Sequence, residues 1–140
     1  MKAYLTRRYW FSSSHRLHTE EFDAERNREI YGKCNNPHGH GHNYALEVTV
    51  SGEVDARTGM VCNLVDLDGC VRSEVLERFD HQNLNCMKEF EGVVPTTESL
   101  AEVIFKIMKR SFHSAHLERV RLEETVNNSF EYAEAESFRP

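Results

Sequence analysis

Cys34, His38, His40 and His42 stand in one short stretch, Gly32-Lys33-Cys34-Asn35-Asn36-Pro37-His38-Gly39-His40-Gly41-His42-Asn43-Tyr44, whose side chains could hold a metal and move a proton. In an extended chain, residues two apart point to the same side. His40 and His42 therefore share a face, and the same parity runs on through Tyr44, Leu46, Val48 and Val50. Two imidazoles side by side on a rigid strand suit zinc, which takes histidine nitrogens at about 2.0–2.1 Å in tetrahedral array. The glycines between the histidines leave room for close packing around an ion, which sets this reading above a polar loop titrating in solvent. A structural zinc closes all four positions with protein ligands, whereas a catalytic one leaves a position open. The third ligand has to come from elsewhere. His15, in Phe11-Ser12-Ser13-Ser14-His15-Arg16-Leu17, is the first candidate, because a strand end can lie against its antiparallel neighbour; His18 is the competitor.

Two further places carry chemistry. Asp80-His81 puts a carboxylate beside an imidazole at a predicted helix end, where spacing alone favours surface or helix-end capping over a tuned base. Glu124 shares its parity with Val120 and Leu122 on a predicted strand. Pointing inward, its carboxylate needs a partner to offset desolvation; a bulged strand end would instead turn it to water. Both readings stand on pattern alone.

The elements that must position these groups read as follows. Residues 2–13 form an aromatic-rich strand, and residues 19–31 a charged excursion, possible as helix, to which no chemistry is assigned. Residues 44–51 alternate as a half-buried antiparallel strand. Residues 52–59 turn, and 60–64 resume extended structure. Asp66 is expected to cap a helix in which Leu67, Val71, Val75 and Phe79 form one stripe, widened by Cys70 and Leu76. Thr96 or Thr97 caps a second helix with Glu98 in its first turn and Leu100, Val103, Ile104, Ile107 and Met108 as the apolar face. A last strand pair turns at Asn127-Asn128.

Composition narrows the classes. The 140 residues (1–140) make a single domain. A net charge of −6 argues against nucleic acid and against an anionic membrane surface as partners. No run approaches the ~18 apolar residues of a membrane span, and the first residues lack the apolar core of a secretion signal. The four cysteines, at 34, 62, 70 and 86, show no paired spacing and read as reduced thiols of a cytoplasmic protein, with Cys62 and Cys70 in the core and Cys86 in a loop.

On these residues the chain resembles the 6-pyruvoyltetrahydropterin synthases, a family that also holds the 6-carboxytetrahydropterin synthases of queuosine biosynthesis. The likeness runs through Phe11 to Leu17, Gly32 to Pro37, Gly39 to Tyr44, Gly52-Glu53-Val54-Asp55 with Thr58-Gly59-Met60, Asp80 to Leu84, Val94 to Glu98, and Glu124-Thr125. It implies an α+β tunnelling fold: a four-stranded antiparallel sheet with two helices on one face. Trimers close the sheets into a barrel, and two trimers stack as a homo-hexamer with active sites at subunit interfaces. It assigns zinc to His15, His40 and His42, catalysis to Cys34, Asp80 and His81, and pterin binding to Glu124, Thr96, Thr97 and Glu98. The implied substrate is 7,8-dihydroneopterin triphosphate, with zinc as Lewis acid, Cys34 as base activated by the dication or His81, and triphosphate eliminated. Cys34 stands six residues before His40, as in pyruvoyl-forming members, and four before His38, as in carboxy-forming ones. The strand register and the flanking Asn-Asn-Pro and Asn-Tyr favour the pyruvoyl product. A non-catalytic pterin-binding protein on the same fold is the reading from another class; the intact Cys34, Asp80 and His81 speak against it.

Overall fold

β1 (Lys2–His15) and β2 (His40–Glu53) pair antiparallel along their whole lengths, from Lys2 opposite Glu53 to His15 opposite His40. The computed structural model describes residues 1–134. β4 (His116–Thr125) flanks the other side of β2, and β5 (Asn128–Tyr132) folds back on β4. The expected four antiparallel strands are joined by a fifth, the two-residue β3 (Gln82–Asn83), which lies parallel beside Ser13 and Ser14. The sheet order is β3-β1-β2-β4-β5. Side chains and backbone of β1 create this extra strand. Ser13 Oγ donates to Phe79 O at 2.5 Å and His81 N donates to Ser12 O at 2.6 Å, holding the segment on the edge.

Tyr44, Leu46, Val48 and Val50 are fully buried, as their alternation requires. They meet one long helical rod and one separate helix. The rod is α2 (Leu64–Val71), a wider π turn (Arg72–Leu76) and α3 (Glu77–Phe79) in continuous helical backbone. Its stripe of Leu67, Val71, Val75 and Phe79 has no exposed surface. In α4 (Thr97–Ser111), Leu100, Ile104, Ile107 and Met108 are buried, and Ala101 and Phe105 widen the face because Phe105 stacks edge-on against Tyr132 at 5.1 Å. α1 (Ala24–Tyr31) lies in the excursion between β1 and β2, capped by Asp23 accepting from Arg26 N.

Two boundaries differ from expectation. Asn63, not Asp66, caps α2, accepting from Val65 N at 2.8 Å, so the helix starts earlier and residues 60–63 are loop instead of strand. Asp55 shapes that loop: its carboxylate accepts from Arg57 N at 2.7 Å, and its carbonyl from Gly59 N. The last turn falls at Val126 and Asn127, and Asn128 already pairs with Thr125 in β5. Thr125 Oγ1 bonds the Asn128 side chain and accepts from Asn127 N, which tightens the reversal by one residue.

The rod's end is where packing and site positioning meet. The Phe79 ring lies 6.4 Å from Phe11, its carbonyl accepts from the buried Ser13, and Asp80-His81 follows directly. Phe79→Ala is therefore expected to cost about 3–5 kcal/mol, typical of emptying a buried aromatic site. A urea midpoint within error of wild type would contradict this packing.

Candidate active site

Because β1 and β2 pair to their shared end, His15 stands directly opposite His40, and Ser13 opposite His42. Gly39 permits this meeting: its φ is +72°, and a Cβ there would sit 3.0 Å from the His15 carbonyl oxygen. Gly41 is under no such constraint, its added Cβ finding ordinary contact at 3.7 Å. The three rings form a tight cluster, with centroids 5.0 Å apart for His15–His40, 5.0 Å for His15–His42 and 4.7 Å for His40–His42. His15 is 1 % exposed, and its Nδ1 donates to Pro95 O at 2.9 Å. That bond fixes the tautomer and leaves the Nε2 lone pair facing His40 Nε2 at 3.1 Å. Burial holds both His15 and His42 below the ordinary imidazole range, which favours the neutral form that can act as a ligand. His42 Nε2 is buried without a hydrogen-bond partner. Such an orphan beside the close Nε2 pair of His15 and His40 fits a cation held among the three imidazoles.

Two other donors adjoin the cluster. Cys34 falls within 4.8 Å of the ligand atoms of His15 and His40, and Glu124 does the same with His15 and His42. Burial, with the Glu124 charge adding to it, pushes the Cys34 thiol up. The chain's own groups thus do not activate this thiol; a dication in the cluster would draw it toward thiolate. Glu124 is occupied by Thr97 Oγ1, which donates to it, and by Asn128 Nδ2 at 3.5 Å.

Both sequence readings of Glu124 contain part of the outcome. The β4–β5 register does shift between Glu123 and Thr125, yet the Glu124 side chain stays inward at 14 % exposure, 3.9 Å from His42. Tyr44 is the site residue that pattern reading passed over. Its parity marks it only as core, but its hydroxyl is buried and unpartnered, and burial with Glu124 nearby pushes its pKa up.

The remaining candidates lie apart. Thr96 is the N-cap of α4, accepting from Ser99 N at 3.1 Å, and Glu98 is exposed, so of that triplet Thr97 alone meets Glu124. Asp80 holds His81 Nδ1 at 3.0 Å and accepts from Ser12 N at 2.8 Å; the backbone bond chiefly keeps its carboxyl below the usual range. His81 has φ +59° and a largely exposed ring. His81 lines a groove with Ser12, Ser14 and Asn43, while Cys34 lines a larger cavity of about 750 Å³; His42 and Gly41 border both. His38 is exposed and outside the cluster, and His18 turns to Glu20 at 3.2 Å. Cys62 is buried in the core, Cys70 packs against it and Cys86 is exposed.

The profile described as 6-pyruvoyl tetrahydropterin synthase matches residues 4–135. The chain is 45 % identical over 131 residues to the 6-pyruvoyl tetrahydrobiopterin synthase of Poecilia reticulata, covering 93 % of this chain and 89 % of that one. A solved Caenorhabditis elegans 6-pyruvoyl tetrahydropterin synthase superposes with a TM-score of 0.90 at 39 % identity, over 96 % and 97 % of the two chains. A putative 6-carboxy-5,6,7,8-tetrahydropterin synthase of Archaeoglobus fulgidus is 35 % identical over 103 residues, covering 74 % and 81 %. The α+β chain thus has the tunnelling fold of these enzymes. Sequence and fold agree, and beside them stand two groups that could hold a metal, His15 with Cys34 and His40 and His15 with His42 and Glu124: the chain belongs to the 6-pyruvoyl tetrahydropterin synthase family.

Proposed function

We propose that this chain is a zinc-dependent lyase that converts 7,8-dihydroneopterin triphosphate to 6-pyruvoyltetrahydropterin with release of triphosphate. The observation that carries the reading is the meeting of one thiol, Cys34, and one inward carboxylate, Glu124, at a single cluster of His15, His40 and His42. Zinc held by the three imidazoles would supply Lewis acidity toward side-chain oxygens of the substrate. Glu124, backed by Thr97, accepts hydrogen bonds from the N–H edge of the pterin. Cys34 takes the proton from the side-chain carbon, and His81, oriented by Asp80, exchanges protons from the adjoining groove. Thr96 and Glu98, at the start of α4, complete the pterin pocket in this reading together with a neighbouring subunit. The split between the Cys34 cavity and the His81 groove suits an enzyme that works as a homo-hexamer, a dimer of trimers with sites at subunit interfaces. The open sheet face, with Tyr4 62 % and Trp10 65 % exposed, is free for such assembly. Among the described residues no helix is long and apolar enough to cross a membrane, in keeping with a cytoplasmic enzyme.

The carboxy-forming reaction shares substrate and fold. The Cys34-to-His38 spacing that points to it rests on a histidine that is exposed and outside the cluster. Incubation of zinc-loaded protein with the triphosphate and mass analysis of products separates the two. A pyruvoyl pterin is expected; acetaldehyde with a carboxy pterin, or no turnover, overturns the assignment.

Glu124→Gln keeps the shape and removes the charge. It is expected to weaken reduced-pterin binding by about 1.5–3 kcal/mol, the worth of a hydrogen bond to a charged group, with zinc content unchanged. Loss of zinc in this variant would make Glu124 a ligand; unchanged pterin affinity would end its role as anchor.

A further inference from the structure

Two buried side-chain atoms lack a hydrogen-bond partner among the described residues, and both sit on one face of β2: His42 Nε2 and the Tyr44 hydroxyl. A cation among the imidazoles accounts for the first. It does not account for the second, because a protonated phenol offers a donor. Buried tyrosine hydroxyls ordinarily find a partner, and leaving one unmade costs stability. Tyr9 shows the ordinary case, its hydroxyl donating to Asp68 at 2.7 Å.

The Tyr44 ring is held fast. It is fully buried and lies opposite Phe11 in the β1–β2 register, the two rings stacking at 5.1 Å. The His42 ring meets it edge-on at 5.7 Å. Thr97 lies in reach of the hydroxyl so fixed, and Glu124 bears on it by charge, yet no bond of ordinary geometry forms. Thr97 is itself 2 % exposed, and its own hydroxyl donates to Glu124. A hydroxyl has one proton to give and two lone pairs to receive. Thr97 has given its proton to Glu124, so toward Tyr44 it can only accept. Facing the Glu124 charge, Tyr44 keeps its proton and is the donor. The groups are thus ordered in one sense, Tyr44 to Thr97 to Glu124, with each O–H directed toward the carboxylate.

We propose that Tyr44 is a positioning residue for the pterin: in the ligand-bound state its hydroxyl donates to Thr97 Oγ1 and so holds Glu124 in line with the N–H edge of the ligand. The inference rests on the reading of Glu124 as the pterin anchor. Hydrogen bonds in a catalytic site are often long or misaligned without ligand and tighten once it binds. Bonds in such a chain polarise one another, so donation from Tyr44 makes Thr97 the stronger donor to Glu124. The bond from Asn128 to this carboxylate is long, at 3.5 Å, which leaves Thr97 as the firmer brace.

Tyr44→Phe removes the hydroxyl and keeps the ring. Dihydroneopterin binding to zinc-loaded protein, kinetics on the triphosphate, zinc content and the urea midpoint are measured for this variant, for Thr97→Val and for the two combined. Tyr44→Phe is expected to bind dihydroneopterin about three- to tenfold more weakly, as the loss of one hydrogen bond implies. It should raise KM more than it lowers kcat, with zinc content unchanged. Its midpoint should equal or exceed that of wild type, because an unpaired buried donor is gone. Tyr9→Phe deletes a paired hydroxyl and should do the reverse, lowering the midpoint with pterin binding unchanged. In the Thr97→Val background, where the acceptor is missing, Tyr44→Phe should add no further loss of affinity. Wild-type pterin affinity in Tyr44→Phe, or an equal loss in the Thr97→Val background, overturns the proposal. A protein whose Glu124→Gln variant binds pterin weakly while Tyr44→Phe binds it normally would keep its anchor and lose this brace.

Discussion

His15→Ala is expected to lower zinc affinity by more than the 10–100-fold that losing a supporting outer partner typically costs, about 100-fold or beyond. The side chain is 1 % exposed, directed by Pro95 O through one nitrogen and aimed at His40 with the other. It is shared by both donor groups that could hold an ion, so no rearrangement of Cys34 or Glu124 restores a site lacking it. His18→Ala and His38→Ala are the controls. His18 is engaged by Asn35 at 3.2 Å and by Glu20, and His38 is exposed, so both variants should keep full metal content. Metal analysis after dialysis decides it. Zinc that follows His38 or His18 instead of His15 would mean that the three-ring cluster is not the binding site. Because alanine also leaves a cavity at a buried position, the unfolding midpoint in chelator is measured alongside, separating lost packing from lost metal.

How much of this was legible beforehand depends on whether a residue's role is written in periodicity or in partners. Period-two alternation placed Tyr44 to Val50 in the core and His40 beside His42, because burial on a central strand imposes that pattern. The helical stripe from Leu67 to Phe79 was legible for the same reason, even though a π turn interrupts the rod; the wider turn keeps the four residues facing the sheet. Positions decided by a single capping bond were not legible. Asn63 and Asp66 are both good caps, and only the Val65 N–H settles which one acts. β3 has no pattern to read, being two polar residues held by bonds from β1. Glu124 illustrates the limit within the site. Parity predicted an inward carboxylate and turn chemistry a bulge, and the structure has both, because Thr97 lies where the bulged residue can reach it. Tyr44 hid behind its own burial: an apolar ring in a core position gives no sign that its hydroxyl lacks a partner.

Cys34→Ala is expected to lower turnover by about 10²–10⁴-fold, the range attributed to a positioned general base, with zinc content and fold retained. The backbone of this residue does structural work that alanine preserves, since Cys34 O accepts from Leu17 N at 2.7 Å. The thiol has no hydrogen-bonding duty that alanine would leave unsatisfied in a neighbour. Its position is what singles it out: it lines the large cavity and adjoins His15 and His40, whereas Cys62 and Cys70 belong to the core and Cys86 is exposed. Burial and the Glu124 carboxylate both work against thiolate formation. A base held up in this way needs a compensating positive charge, and a cation at the histidine cluster would supply one. Alkylation follows the same logic. Iodoacetamide should modify exposed Cys86 readily in any form of the protein, without effect on turnover. Modification of Cys34 should speed up when zinc is bound, and activity should fall in step with it. Peptide mapping against residual activity reads both. If the alanine variant keeps wild-type turnover, the proton goes elsewhere, and the Asp80-oriented imidazole of His81 becomes the base to test next.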